Sequence, residues 1–313
     1  MRVVFMGTPP FAATCLRGLL DRDFHIPLVV SQPDRPAGRG RQPTSPAVAT
    51  LARERGIDVF QPESLRPAES VDRVRAAQPD VIVVAAYGLI LRQDVLTLPA
   101  AGCVNVHASL LPRHRGASPI SAAILAGDAE TGVCLMRMER GLDTGPVYAC
   151  TRTPMLPTDD TPQLTERLAA LGADLLATEL PRIVAGATQP TAQDQRLATY
   201  APRIERADAR LDWTLSAAEL HRRVRAYRGW PDAFTTWRGK QLKVLRARPL
   251  PDGEPTGISA PGTVIQHSAD QVAVSTGDGL LELHEVALEG KRATDGAALA
   301  RGYRDFVGST LGG

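Results

Sequence analysis

The sequence predicts an α/β protein: a Rossmann-like, doubly wound, mostly parallel sheet followed by a small C-terminal β-barrel domain of the oligonucleotide-binding (OB-like) type. Three observations carry this expectation. Strand-like and helix-like segments alternate through residues 1–185, the pattern of a sheet with helices on both faces. Residues 81–86 are apolar throughout, as a strand covered on both faces must be. Beyond a polar stretch, short strands separated by Gly and Pro turns take over, as in a small barrel. A chain of 313 residues is long enough for two cores. The expected division is a first domain over 1–187, a linker over 188–205 rich in Gln, Pro, Thr and Asp, and a second domain over 206–313.

Each element has a local reason. Residues 2–6 form an apolar strand, and 11–20 have helical spacing of apolar side chains. A strand is expected over 27–31, a helix over 47–55 stopped by Gly56, a short extended piece over 58–60 and a helix over 69–77. The central strand at 81–86 is followed by a strand over 102–106, a helix over 119–126, strands over 131–138 and 146–153, and a long helix over 161–185. In the second domain a helix over 217–226 precedes strands at 233–237, 241–248, 262–266, 271–275 and 279–286, with a closing helix near 295–301.

Composition narrows the classes. The chain is 43% hydrophobic and 22% charged, ordinary for a globular protein. The start of the chain reads as a strand without a basic-then-apolar leader pattern. The longest apolar stretch, 81–91, is too short and interrupted to span a membrane. A cytoplasmic protein is expected. The four cysteines, Cys15, Cys103, Cys134 and Cys150, are widely spaced in apolar surroundings and form no C-x-x-C pair. Buried thiols are expected of them, not a zinc site or a disulfide framework. The net charge of +2 is unevenly spread: residues 203–248 hold twelve basic and five acidic residues, a net +7, so the remainder is −5. All three tryptophans (Trp213, Trp230 and Trp237) fall in the same window. A basic surface on a small barrel points to a polyanion partner, against the plainer alternative of a solvated arginine face.

The segment Asn105-Val106-His107-Ala108-Ser109-Leu110-Leu111-Pro112 is the strongest chemical signal. On an extended strand, residues i, i+2 and i+4 share one face, so amide, imidazole and hydroxyl point together at a strand end, where ligands bind in such sheets. Buried polar groups must find partners, and spending three alternate positions on them costs packing. A carboxylate, Asp143, follows in the turn Gly141-Leu142-Asp143-Thr144-Gly145. Amide, imidazole and acid are the parts that polarise a carbonyl and move a proton. The remaining histidines (His25, His114, His221, His267 and His284) lack ligand spacing and read as structural or exposed. The loop Gly7-Thr8-Pro9-Pro10-Phe11 holds one glycine of a G-x-G-x-x-G, so a dinucleotide fingerprint fails, and there is no G-x-x-x-x-G-K-[ST]. The loop from Pro33 to Arg41 carries three arginines, two prolines and two glycines, a composition able to meet phosphates bidentately.

These motifs, together with Gln32-Pro33-Asp34-Arg35-Pro36-Ala37-Gly38-Arg39-Gly40, Ala85-Ala86-Tyr87-Gly88-Leu89-Ile90 and the basic C-terminal region with Asp212-Trp213, resemble the folate-dependent formyltransferases that act on charged tRNA. The similarity runs from Val3 to about Phe306. The resemblance implies transfer of formyl from 10-formyltetrahydrofolate to the α-amine of methionyl initiator tRNA, releasing tetrahydrofolate, by a monomer with no metal. It implies that Asn105, His107 and Asp143 are catalytic, and that Ser109, Leu110, Leu111 and Pro112, with Tyr87 and Gly88, bind the folate. It implies that the loop bearing Arg35, Arg39 and Arg41 meets the acceptor stem, with Arg206, Arg222 and Arg223 as further tRNA contacts. Two departures stand out: Pro10 where the family usually has an acid, and His114 where an aromatic is common.

The chemistry so implied is attack of a weakly basic amine on the formyl carbon. Asn105 and His107 are expected to stabilise the oxyanion, an effect worth roughly 3–4 kcal/mol per donor. Asp143 is expected to hold His107 in one tautomer, so that the imidazolium protonates the departing nitrogen while water or Asp143 takes the amine proton. Two rivals remain at this point. A formyltransferase acting on a nucleotide-linked sugar amine or glycinamide ribonucleotide shares the Asn/His/Asp set without needing a basic second domain. An RNA-binding protein with an inert α/β domain has no physical reason to keep all three groups.

Overall fold

The run Val81–Ala85 is buried along its whole length and lies in the middle of a seven-stranded sheet. The computed structural model describes residues 1–37, 42–250, 259–268 and 270–312. In chain order the elements are β1 (Arg2–Gly7), α1 (Pro10–Leu20), β2 (His25–Val30), β3 (Arg35–Ala37), β4 (Gln42–Thr44), α2 (Ala47–Glu54), β5 (Val59–Phe60), α3 (Ala68–Ala76), β6 (Val81–Ala85), α4 (Gln93–Leu96) and β7 (Cys103–His107). Then come β8 (Arg115–Gly116), α5 (Pro119–Ala126), β9 (Glu130–Arg137), β10 (Val147–Pro154), α6 (Thr161–Val184) and β11 (Tyr200–Ala201). The sheet order is β10-β9-β7-β6-β1-β2-β5. It is parallel from β7 through β5 and antiparallel where β9 joins β7 and β10 joins β9.

Two compact units divide the chain. One comprises Met1–Pro119, Glu130–Met155 and Thr165–Pro202; the other comprises Ile120–Ala129, Leu156–Leu164 and Arg203–Gly313. In the first unit α6 lies close on the sheet behind the strand that carries Asn105 and His107. A Cβ at Gly172 would stand 3.1 Å from Val106 and 3.3 Å from Val133, so a side chain there would press on both valines. One face of the sheet buries Val4, Met6, Val30, Ile82, Val84 and Cys103 in a common apolar cluster.

Three features differ from the sequence expectation. The strands that flank residues 38–41 pair with each other, β3 antiparallel to β4, with Arg35 facing Thr44. The base of this pair is pinned by Asp34, whose carboxylate accepts from Ser45 at 2.8 Å and from Gln61 at 2.7 Å. Those hydrogen bonds hold the Asp34 carboxyl below the usual range. The segment after α6 is more than a connector: Thr191 pairs with Val147, and β11 runs parallel to β8. Finally, Cys134 and Cys150 are not free thiols. They face each other across β9 and β10, with Cα atoms 4.1 Å apart, and are joined as a disulfide. The antiparallel register brings together two residues that the sequence keeps 16 apart. Cys15 and Cys103 remain buried thiols, both pushed up to about 12 by burial.

The second unit holds α7 (Ala217–Ala226) and an antiparallel sheet ordered β12 (Phe234–Trp237), β13 (Lys240–Pro249), β16 (Leu280–Leu288), β15 (Gln271–Ser275) and β14 (Val264–Ser268), closed by α8 (Gly296–Gly302). Ser216 and Glu219 form a capping box that starts α7, each side chain satisfying the other's backbone N–H. Trp213 and Trp237 are core residues. Trp237 packs edge-on to Phe306, with ring centroids 5.1 Å apart, and the Trp213 indole donates to Thr235 at 3.1 Å. Of the three tryptophans that accompany the basic window, only Trp230, 59% exposed, lies at the surface.

Candidate active site

Asn105 and His107 occupy alternate positions on β7 and are 9% and 5% exposed. The ladder fixes them: Asn105 is opposite Met136 and His107 opposite Cys134 on β9, while Val84 of β6 lies beside Asn105 on the other side. The Asn105 side chain carries an amide with two N–H donors to the strand end, on the same face of β7 as His107. A nearly buried amide of this kind is able to donate to a carbonyl oxygen placed beside it.

The imidazole is fixed from two directions. Its Nε2 lies 3.1 Å from the His114 carbonyl oxygen; a carbonyl only accepts, so Nε2 carries a proton. Its Nδ1 lies 3.7 Å from Asp143 Oδ2, an ion-pair separation rather than a hydrogen bond. The sequence expectation gave the choice of tautomer to Asp143; the backbone carbonyl of His114 makes it instead. His114 reaches that position with a left-handed backbone, φ 56°, which histidine adopts more readily than most residues. Because the contact is through the main chain, the departure at this position leaves it in place.

Ser109 does not continue the strand face, because β7 ends at His107. Its hydroxyl instead donates to the Arg113 carbonyl at 2.7 Å, closing the turn that carries Leu110, Leu111 and Pro112. These three are half-buried, the peptide before Pro112 is cis, and Leu110 lies over Gly132, where a Cβ would stand 2.6 Å from Leu110 Cδ2. The Tyr87 ring points into the core, with the phenol buried, unpartnered and pushed up to about 12. What Tyr87 offers is its carbonyl, which accepts from Thr8 at 2.9 Å and Gln32 at 3.0 Å. Gly88 is needed there: its φ is 85°, and a Cβ would stand 2.3 Å from the Gln32 amide nitrogen.

Asp143 sits in the turn between β9 and β10 with φ 52°. Gly145 lets that turn fold back, since a Cβ there would lie 1.8 Å from the Arg137 carbonyl oxygen. The carboxylate Oδ2 accepts from the Gly116 N–H at 2.8 Å. Sequence reasoning missed the residues behind this turn: Gln193 donates to the carbonyls of Asp143 at 2.9 Å and Gly145 at 2.6 Å, and Arg115 and Gln195 stand behind Gln193. Side chains that hold backbone leave no periodic trace in a sequence.

Of the arginines expected to meet tRNA, Arg35 is exposed on β3, whereas Arg39 and Arg41 lie outside the described residues. Arg206 is exposed and donates to Gln241 at 3.1 Å. Arg223 donates to the Asp208 carbonyl at 3.4 Å. Arg222 lies over Gly127, where a Cβ would stand 3.3 Å from its Cδ, and its Nε is buried. It is therefore partly committed within its own unit. An open cavity of about 650 Å³, lined by Asp80, Gly102, Arg137, Tyr148 and Thr188 among others, lies where β6 and β7 begin, the opposite strand ends from His107.

A formyl transferase family model matches residues 1–180, and a model of the formyl transferase C-terminal domain matches residues 203–304. Fold and site together thus define the class, a formyl transferase. A methionyl-tRNA formyltransferase of Dehalococcoides mccartyi (strain ATCC BAA-2266 / KCTC 15142 / 195) is 47% identical over 312 residues, covering 100% of this chain and 99% of its own. One from Hydrogenovibrio crunogenus is 43% identical over 312 residues, with the same two coverages. The chain belongs to the methionyl-tRNA formyltransferase family.

Solved structures share the fold at low identity. HypX from Aquifex aeolicus matches with TM-score 0.66 and 18% identity over 98% of this chain, which spans 48% of HypX. An N-formyltransferase from Helicobacter canadensis, solved with folinic acid and dTDP-3-aminofucose, matches with TM-score 0.65 and 16% identity over 90% of this chain and 97% of its own. A methionyl-tRNA formyltransferase from Clostridium thermocellum matches with TM-score 0.56 and 15% identity, covering 81% and 95%.

Proposed function

We propose that this protein transfers the formyl group of 10-formyltetrahydrofolate to the α-amine of methionyl initiator tRNA, with Asn105, His107 and Asp143 as its catalytic residues. The observation that carries the reading is the imidazole held between a carbonyl and a carboxylate, with the Asn105 amide on the same strand face. When bound, the folate supplies an activated formyl carbon and a nitrogen leaving group. The Asn105 amide donates to the formyl oxygen, and its donor is worth most where charge develops on that oxygen. Nε2 of His107 is tied to His114, so Nδ1 is the atom at which this side chain gives and receives a proton. Asp143 stabilises the charged imidazolium and stands ready to accept the amine proton. Ser109 shapes the Leu110-to-Pro112 turn that lines the folate side, and the Tyr87–Gly88 backbone forms another wall.

The high full-length identity to proteins named methionyl-tRNA formyltransferase favours this acceptor over a nucleotide-linked sugar amine. So does the +7 charge of residues 203–248, which suits a polyanion. Arg35, Arg39, Arg41, Arg206, Arg222 and Arg223 are proposed as tRNA contacts; of the four within the described residues, the geometry favours Arg222 least. The catalytic trio comes from one unit of one chain, which supports a monomer. No helix of the described residues is long and apolar enough to cross a membrane, and an aminoacyl-tRNA substrate supports a cytoplasmic site of action. The test is direct: supply 10-formyltetrahydrofolate with charged initiator and elongator tRNAs and measure formylmethionine. Formylation of the initiator alone is expected. Turnover of a nucleotide-linked amino sugar with neither tRNA formylated would overturn the reading.

A further inference from the structure

Arg115 is fully buried, 0% exposed, and its guanidinium meets amides rather than carboxylates. Nε and Nη2 donate to Gln193 Oε1 at 3.0 and 2.7 Å, and Nη1 donates to Gln195 Oε1 at 2.8 Å. A guanidinium has donors only, so it decides which way round the Gln193 amide lies. The oxygen must face Arg115, and both hydrogens of Nε2 are driven the other way. There they meet the carbonyls of Asp143 and Gly145 at 2.9 and 2.6 Å. The neighbouring residue completes the arrangement, because the Gly116 N–H holds the Asp143 carboxylate at 2.8 Å. Residues 115 and 116 are themselves anchored by β11, with the Arg115 N–H donating to the Thr199 carbonyl at 2.9 Å.

We propose that Gln193 and Arg115 are positioning residues for Asp143: Gln193 clamps the backbone of the catalytic turn, and Arg115 fixes the direction of that clamp. The proposal rests on the reading of His107 and Asp143 as catalytic. Asp143 needs such a clamp for two reasons. Its φ of 52° is a left-handed state that aspartate visits but does not hold by itself, so contacts must select it. Its carboxylate also has to stop 3.7 Å from His107, on a turn that no strand ladder holds. A buried guanidinium polarises the amide that it contacts, strengthening the two donations on the far side. The segment that supplies Gln193 thereby becomes part of the catalytic machinery without touching substrate.

Gln193→Met keeps volume and removes the clamp. Gln193→Glu keeps the contact with Arg115 and replaces two donors by acceptors facing carbonyls. Both variants are expected to lose about 100-fold in kcat, the scale of an ångström-sized misplacement, with KM for each substrate within about threefold, since neither residue binds substrate. The discriminating measurement is a double-mutant cycle with Asp143→Asn. Once the carboxylate is gone, losing the clamp should cost less than about threefold more. If Gln193→Met does not accumulate as folded protein, Gln193→Glu carries the same comparison. A full additive loss in the Asp143→Asn background, or a wild-type kcat in Gln193→Glu, overturns the proposal. An unmodified protein that fails to formylate methionyl-tRNA overturns the functional reading instead, so the two failures are separable.

Discussion

His107 in the first unit and His221 in the second are the same side chain in opposite electrical surroundings. His107 has a carbonyl at Nε2 and the Asp143 carboxylate near Nδ1, so oxygen atoms face both ring nitrogens. His221 lies on α7, partly buried, with Arg225 and Arg222 nearby; burial first and the two arginines second depress its titration to about 4. One ring is flanked by oxygen acceptors, and the other is buried beside arginines and kept neutral. The amino-acid type sets what a histidine can do, and the neighbours within a few ångströms decide whether it does.

That contrast is open to attack at three points. The largest effect belongs to the first ring and its acid: His107→Ala and Asp143→Ala are each expected to lower formylation kcat by about a thousandfold or more, with tRNA binding retained in a filter or anisotropy assay. His221→Ala serves as the control and should stay within about threefold; a comparable loss there would erase the distinction. Next comes Asn105→Ala, expected to cost about 100-fold in kcat as a lost oxyanion donor. A change confined to KM would show that Asn105 binds substrate uniformly rather than the transition state.

The smallest effect is on stability. The folded-state titration of His221 lies below its ordinary value of 6.5, so the fold favours the neutral ring. This contribution is complete above pH 6.5 and is lost as pH falls toward 4. Acidification from pH 7 to 5 should therefore lower the Tm of the wild type more than that of His221→Gln. After discounting for the partial exposure of the ring, the gap is about 2–4 °C. Parallel melting curves for the two proteins would remove the claim.

The sequence reading located the strand half of the site and was blind to what holds the turn half. Asn105 and His107 sit on a strand whose apolar runs and period-2 spacing are written locally, so their shared face could be read from residue order. The same rule failed two residues later, since β7 stops at His107 and Ser109 turns inward to Arg113. Asp143 was found by its glycine-flanked turn. Its supports were not found, because Gln193 is 50 residues away from Asp143 in a polar stretch without periodicity. The pairing of Cys134 with Cys150 was missed for a related reason: it follows from the register of β9 with β10, which spacing alone does not give. The longer strands and helices of both units followed from hydrophobic pattern and turn residues, whereas the short β3, β4, β8 and β11 and the single-turn α4 did not.

The left-handed backbone at position 143 restricts how this site can drift over generations. Glutamate would preserve the carboxylate, yet a longer side chain is disfavoured at φ 52°. The residues that the backbone tolerates best are Asp, Asn and Gly, and two of those three carry no acid. In the role proposed for Asp143, substitutions that keep the acid are thus costly for the chain path, while those easy on the chain path remove the acid that the proposed chemistry uses. Under that role few substitutions at position 143 are neutral: glutamate strains the backbone, and asparagine or glycine removes the acid.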